Sequence, residues 1–241
     1  PKEGVKSEAL KTKENLLRTV VWYLDHYEND AAETVILANG KPAVELSFQF
    51  ELEFGPERTN LYPTSMDDLN LADGDPNKLI QTQPYLLCGH LDKVVKFSGD
   101  LFVMDHKTTT STPGGGYFNG FNPHNQMTVY TIASQTIMKS PIKGVIIDAV
   151  QIATGFSRPV RGITYRTNDQ LEEWLGDTQR WLRAAEGYAE EDFWPMNDTA
   201  CGMYGGCRFR EVCSKSPSVR QKWLESNFTQ ENERWNPLKP R

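Results

Sequence analysis

No stretch of this chain is long and apolar enough to cross a bilayer. No charged, then apolar, then small-residue leader opens it, so nothing in it points to secretion. No internal repeat recurs along it. Positive charge is short as well: 26 Lys and Arg stand against 32 Asp and Glu, for a net charge of −6. A protein that simply coats nucleic acid would be basic, and this balance argues against one. Cysteine is scarce. Of the four, Cys201, Cys207 and Cys213 fall in one short glycine-containing segment. Without a leader, that grouping reads as metal or cluster ligation before disulfides. The glycine run 114–116 leads into no Gly-Lys-Ser/Thr at a helix start, which excludes a phosphate-cradling loop.

What is present fits one sizeable domain, or one domain with an appendage: 241 residues, 38% hydrophobic and 24% charged, a globular rather than disordered balance. Residues 7–28 place Leu10, Leu16, Leu17, Val20, Val21, Leu24 and Tyr27 at helical spacing, which predicts an amphipathic helix. Residues 38–42 read as a turn and 43–54 as a strand. In that strand Val44, Leu46, Phe48 and Phe50 share one face, and Glu45, Ser47, Gln49 and Glu51 the other. Residues 55–82 read as loop, with a turn at 73–77 that only faintly resembles a calcium loop. The glycine-rich stretch 110–124 is expected to be a flexible lip. Beyond it we expect a helix over 124–138, a buried strand over 142–153, a partner strand over 160–166, and a long amphipathic helix over 167–191. A short helix over 216–226 precedes a loose polar tail at 231–241.

The most informative segment is "CGHLDKVVKFSGDLFVMDHKTTT", residues 88–110. Two apolar runs flank a Ser-Gly-Asp turn, as in a β-hairpin. Asp92 sits in the first run, and the second ends on Asp105, His106 and Lys107. Strand residues i and i+2 share a face, so Asp105 and Lys107 point together and His106 points away. Pairing across the turn brings Asp92 beside Asp105. Two adjacent acids repel unless a cation neutralises them, and a hard divalent cation takes such oxygen donors. An Asp-x-Lys triplet by itself reads as a salt-bridged strand end. The Gly-x-x-Asp strand, the hairpin and the apolar strand before the triplet shift the reading toward chemistry.

"GHLDKVV", "LFVMDHKTT" and the later "QMTVY" resemble the PD-(D/E)XK nuclease superfamily in its RecB-like branch. That branch includes nuclease domains of recombination helicases, CRISPR-associated nucleases and phage exonucleases. The resemblance spans roughly residues 43–215. It implies an α/β, restriction-endonuclease-like core with a central mixed sheet flanked by helices, followed by a C-terminal Cys-bearing lobe. It assigns Asp92, Asp105 and the backbone carbonyl of His106 to Mg²⁺ or Mn²⁺, and makes Lys107 the catalytic lysine. Gln126 and Tyr130, four residues apart on one helix face, position the strand. Glu45 is either a further metal- or water-holding acid or a solvent-facing Glu on an edge strand. The branch's upstream His has no counterpart, since the first helix offers only His26. Either that His lies upstream of Pro1 or the protein does without it; the Pro start favours the first, and the N-terminal part of the core is then expected upstream.

The resemblance also implies a [4Fe–4S] cluster held by Cys201, Cys207 and Cys213, with Zn²⁺ or no metal as rivals. Their spacing departs from the usual pattern. The fourth ligand is either Cys88, which otherwise reads as a small buried strand residue, or a Cys upstream of Pro1. We expect residues 1–195 to form the nuclease core and 196–241 a Cys-containing segment with a basic tail. Residues 201–241 carry eight Lys/Arg against four Asp/Glu, a net of +4, which leaves −10 for residues 1–200. An enzyme that cuts nucleic acid can be acidic overall, because only a local groove must attract phosphate. The expected activity is metal-dependent hydrolysis of DNA by an exonuclease. It would act in the cytoplasm of a bacterial or phage-infected cell, with partner proteins of recombination or repair. The competing readings are a non-catalytic DNA-binding or assembly subunit that keeps the fold, and a metal-stapled structural module.

Overall fold

The computed structural model describes residues 10–54, 84–229 and Leu238. The loop expected at 55–82, with its turn at 73–77, lies outside the described residues, as does the tail at 231–241 apart from Leu238. The chain divides into two compact units, one of Pro1–Leu52 with Leu86–Thr178 and the other of Glu53–Tyr85 with Gln179–Arg241.

The first unit opens with helix α1 (Lys13–His26), whose start is capped where the Thr12 side chain accepts from the Asn15 N–H. Strands β1 (Glu33–Thr34), β2 (Val44–Glu51), β3 (Leu86–Phe97) and β4 (Asp100–Thr109) follow. Helices α2 (Gly115–Asn119) and α3 (Asn125–Met138) then lead to β5 (Gly144–Ile152) and β6 (Ser157–Thr164). Helix α4 (Asn168–Glu190) runs on into the second unit. That unit also holds a 3₁₀ helix (Asp198–Gly205), α5 (Arg210–Cys213) and α6 (Pro217–Asn227).

The six strands form one mixed sheet in the order β1-β3-β4-β5-β6, with β2 also paired to β3. Ser98 and Gly99, both at positive φ, make the tight turn that joins β3 to β4. β4 and β5 are parallel, so the chain between them must cross over the sheet, and α3 lies on that crossover. Every residue of β5 is buried, as expected for a central strand covered on both faces. On the front face, Met127, Tyr130 and Ala133 of α3 pack with Val94, Val103, Val145 and Ile147. On the rear face, Val95, Phe102, Met104 and Ile146 pack with Ala32.

Two segments depart from the expected pattern. Helix α1 does not dock through its apolar stripe, for Leu17, Val20, Val21 and Leu24 are each more than half exposed. It lies against β5 and β6 through polar groups. Thr19 Oγ1 and Ser157 Oγ share a hydrogen bond at 2.7 Å, Arg18 donates to the Ala153 carbonyl at 2.8 Å, and the Tyr23 hydroxyl donates to Asp148. The rear of the β5–β6 hairpin presents polar groups there, and the helix turns its polar side to meet them. Within the stretch expected to be a flexible lip, α2 forms instead. Its anchor is aromatic: Tyr117 meets Phe118 and Phe121 edge to face, all three pack on the front core, and a Cβ at Gly162 would overlap the Phe118 ring.

Buried charge ties the rear together. The Arg161 guanidinium forks onto both oxygens of Asp30 at 2.6 and 2.7 Å, reaches Asp148 Oδ2 at 3.2 Å, and lies over the Tyr27 ring. Hydrogen bonds from Arg161 hold the Asp30 carboxyl below its usual range despite some burial. We expect Arg161→Ala to lose about 3–5 kcal/mol in urea unfolding, because it strands a buried carboxylate. A lowered folded pKa stabilises fully above the ordinary carboxylate value of about 4, and that stabilisation is lost as pH falls through the folded value. Asp30→Asn should therefore remove part of the stability decline below about pH 4. Gly162→Ala should cost about 1–3 kcal/mol through overpacking against Phe118.

Candidate active site

The β3–β4 ladder ends at Lys93 opposite Met104. One residue further along stand Asp92 on β3 and Asp105 on β4. Past the ladder's end the His106 backbone N–H donates to Asp92 Oδ2 at 2.9 Å, so the acid takes up a donor that no neighbouring strand claims. Asp105 is buried, and Lys107 shares its face, with Nζ 2.8 Å from Asp105 Oδ2. The contact is an ion pair without hydrogen-bond alignment, which leaves that oxygen without a hydrogen-bond partner. Lys107 Nζ also donates to Gln126 Oε1 at 3.0 Å, and Gln126 Nε2 donates to the Tyr130 hydroxyl at 2.8 Å. One polar chain thus runs Asp105–Lys107–Gln126–Tyr130 from β4 to α3.

The electrostatics follow from this packing. Burial pushes the Asp105 carboxyl up, Lys107 only partly offsets it, and the Asp92 charge adds to the rise. Tyr130 is pushed up to about 12, first by burial and then by the charges of Asp105, Asp92 and Glu45. It therefore stays a neutral donor at physiological pH. Glu45 lies close enough for its charge to be felt, and its backbone is left-handed at φ 49° in an otherwise extended strand.

The sequence reading passed over several neighbours. Tyr117 of α2 feels burial and then the Asp105 charge, both raising its pKa. His124, just before α3, is held neutral by burial and by Lys107 and Arg166, with Nδ1 buried and without a hydrogen-bond partner. Its place two residues before Gln126 was the available signal, whereas Tyr117 was hidden in the glycine-rich stretch. On the rear, His106 turns away from Asp105 and Lys107, and its Nδ1 faces Asp148 Oδ2 at 3.4 Å. His26 packs edge-on against Tyr27.

The donor set suits a hard divalent cation. Asp92 and Asp105 offer carboxylate oxygens, one of them buried without a hydrogen-bond partner, and the His106 carbonyl follows in the chain. Mg²⁺ is commonly held by one or two carboxylates, with water and substrate phosphate completing the shell. Among the described residues no three His, Cys, Asp or Glu side chains converge to hold a metal by themselves. Glu45 is therefore not drawn into a three-acid cage, and the cysteines form no such centre. Cys201, Cys207 and Cys213 are free thiols, and Cys207 is exposed. Gly205 and Gly206, both at positive φ, turn the chain so that the Cys207 N–H donates to the Cys201 carbonyl at 3.1 Å. Cys88 is a free thiol on β3, opposite Gln49. The arrangement gives an iron–sulfur cluster no support.

A family model described as PD-(D/E)XK nuclease superfamily matches residues 3–214. No curated protein matches the chain.

A raised folded pKa means that Asp105 stabilises the fold when protonated, and this contribution is lost as pH rises through the folded value. Asp105→Asn should therefore melt higher than the parent at pH 7 in EDTA. The gap should narrow as pH falls toward the ordinary Asp value of about 4. Thermal melts across that range check both the sign and the trend.

Proposed function

The chain belongs to the PD-(D/E)XK nuclease superfamily, and from that premise we propose that it is a divalent-metal-dependent deoxyribonuclease. We read it as an exonuclease of the RecB-like branch, acting on single strands or duplex ends. The observation that carries this reading is Lys107 held between Asp105 at 2.8 Å and Gln126 at 3.0 Å. A lysine kept only as a strand-end ion pair needs no second partner from α3. Here Gln126 fixes the ammonium beside the buried acid, and Tyr130 fixes Gln126.

On this reading Asp92, Asp105 and the His106 carbonyl hold Mg²⁺ or Mn²⁺. The bound cation would lower the pKa of a water and offset charge on the phosphate. Lys107 orients the attacking water and stabilises the negative charge that builds on the phosphoryl oxygens. The water oxygen bonds to phosphorus as the ester oxygen leaves. Gln126 holds Lys107 in place, and the neutral Tyr130 hydroxyl offers a hydrogen bond to the strand. Glu45 supplies negative charge at the margin of the site and can hold a water there. Residues 1–195 would carry the chemistry. Residues 196–241, with their excess of Lys and Arg, would favour contact with the DNA backbone.

The test is cleavage of end-labelled single- and double-stranded linear DNA with Mn²⁺, Mg²⁺ or EDTA. We expect products only with metal, accumulating from ends, and a loss of about 10²–10³-fold or more in Lys107→Ala. Metal-dependent cutting that Lys107→Ala leaves intact contradicts the assignment. DNA binding without cutting by the parent favours a non-catalytic subunit. Cleavage inside closed circular DNA contradicts the exonuclease reading alone.

A further inference from the structure

We infer that Asp148 is a positioning residue for the metal-donor group, acting from the opposite face of the sheet through His106. This rests on the metal-dependent reading above.

His106 does two things at once. Its side chain lies on the rear face, with Nδ1 3.4 Å from Asp148 Oδ2, and Tyr23 presents its ring edge-on at 6.1 Å. Its main chain lies between the two candidate metal acids: the N–H donates to Asp92 Oδ2 at 2.9 Å, and the carbonyl is the expected third donor. A tilt of this residue would carry the N–H away from Asp92 and re-aim the carbonyl together.

Asp148 is built to prevent that tilt. It is the register partner of His106 in the parallel β4–β5 ladder, and it is fully buried. The same Oδ2 that faces His106 takes the Tyr23 hydroxyl from α1 and Arg161 Nη2 from β6 at 3.2 Å. Arg161 is in turn locked by its fork onto Asp30. An ion pair serving stability alone would be complete with Arg161 and Asp30. Adding a second, fully buried acid leaves Asp148 Oδ1 without a hydrogen-bond partner, a cost that packing does not require. Carboxylates behind a histidine are a common way to orient a metal site from outside its donor set.

The test is calorimetric titration of Mn²⁺ into DNA-free protein, with a thermal melt of each variant. The set is the parent, Asp148→Asn, His106→Ala, their double variant, and the core truncation Ile152→Val as a stability control. We expect each single variant to bind Mn²⁺ about 10-fold more weakly or worse. The double should bind no more weakly than His106→Ala, because Asp148 acts through that side chain. Ile152→Val should lower the melting temperature and leave the affinity within two-fold of the parent. Should Asp148→Asn not fold, Tyr23→Phe removes another partner of the same oxygen. It should weaken Mn²⁺ binding in the parent and not in the His106→Ala background. Parental affinity in folded Asp148→Asn or His106→Ala overturns the inference, as do losses that add in the double. A parent that binds no Mn²⁺ overturns this inference and the metal-dependent reading together, whereas a parent that binds alongside unaffected variants sinks only this one.

Discussion

The site depends on the two-residue alternation of one strand end. At Asp105, His106 and Lys107 the pleat sends the outer pair to the front and the middle residue to the rear. The front pair meets α3, whose Gln126 and Tyr130 finish a polar chain. The middle residue meets Asp148 and the charges that dock α1. A register slip of one residue would exchange the two faces and dismantle both networks. Every-residue burial of β5 beside this strand resists such a slip, because the parallel ladder locks Asp105 to Ile147 and His106 to Asp148.

The arrangement works against stability at several named points. Asp105 is buried with its carboxyl pushed up, Glu45 holds a left-handed backbone in a strand, and His124 Nδ1 and Asp148 Oδ1 are buried without hydrogen-bond partners. Each is a cost that a sheet selected only for folding would shed, and such costs gather where chemistry is done. The apolar packing of α3 and of the strand interiors supplies the stability that lets them persist.

Much of this was legible in the sequence, for local reasons. The β3–β4 hairpin announced itself through period-two alternation on both sides of a Ser-Gly-Asp turn. The spacing of Gln126 and Tyr130 on one helix was equally visible, and the family match over residues 3–214 agrees with those motifs at the level of the superfamily. What stayed hidden depends on partners far away in the chain. The pattern of the buried strand carries no sign of what Asp148 meets, because Tyr23 and Arg161 come from other elements. The docking side of α1 was missed because the rear of the β5–β6 hairpin is polar. The three glycines at 114–116 masked α2, whose order comes from Tyr117, Phe118 and Phe121 rather than from helix propensity.

The central claim is that the end of the β3–β4 hairpin is a divalent-metal site, and diffraction at a wavelength sensitive to manganese tests it most directly. Crystals grown with Mn²⁺ should show an anomalous peak bounded by the Asp92 and Asp105 carboxylates and the His106 carbonyl. A peak elsewhere with none at that position, in protein saturated with Mn²⁺, would contradict the account.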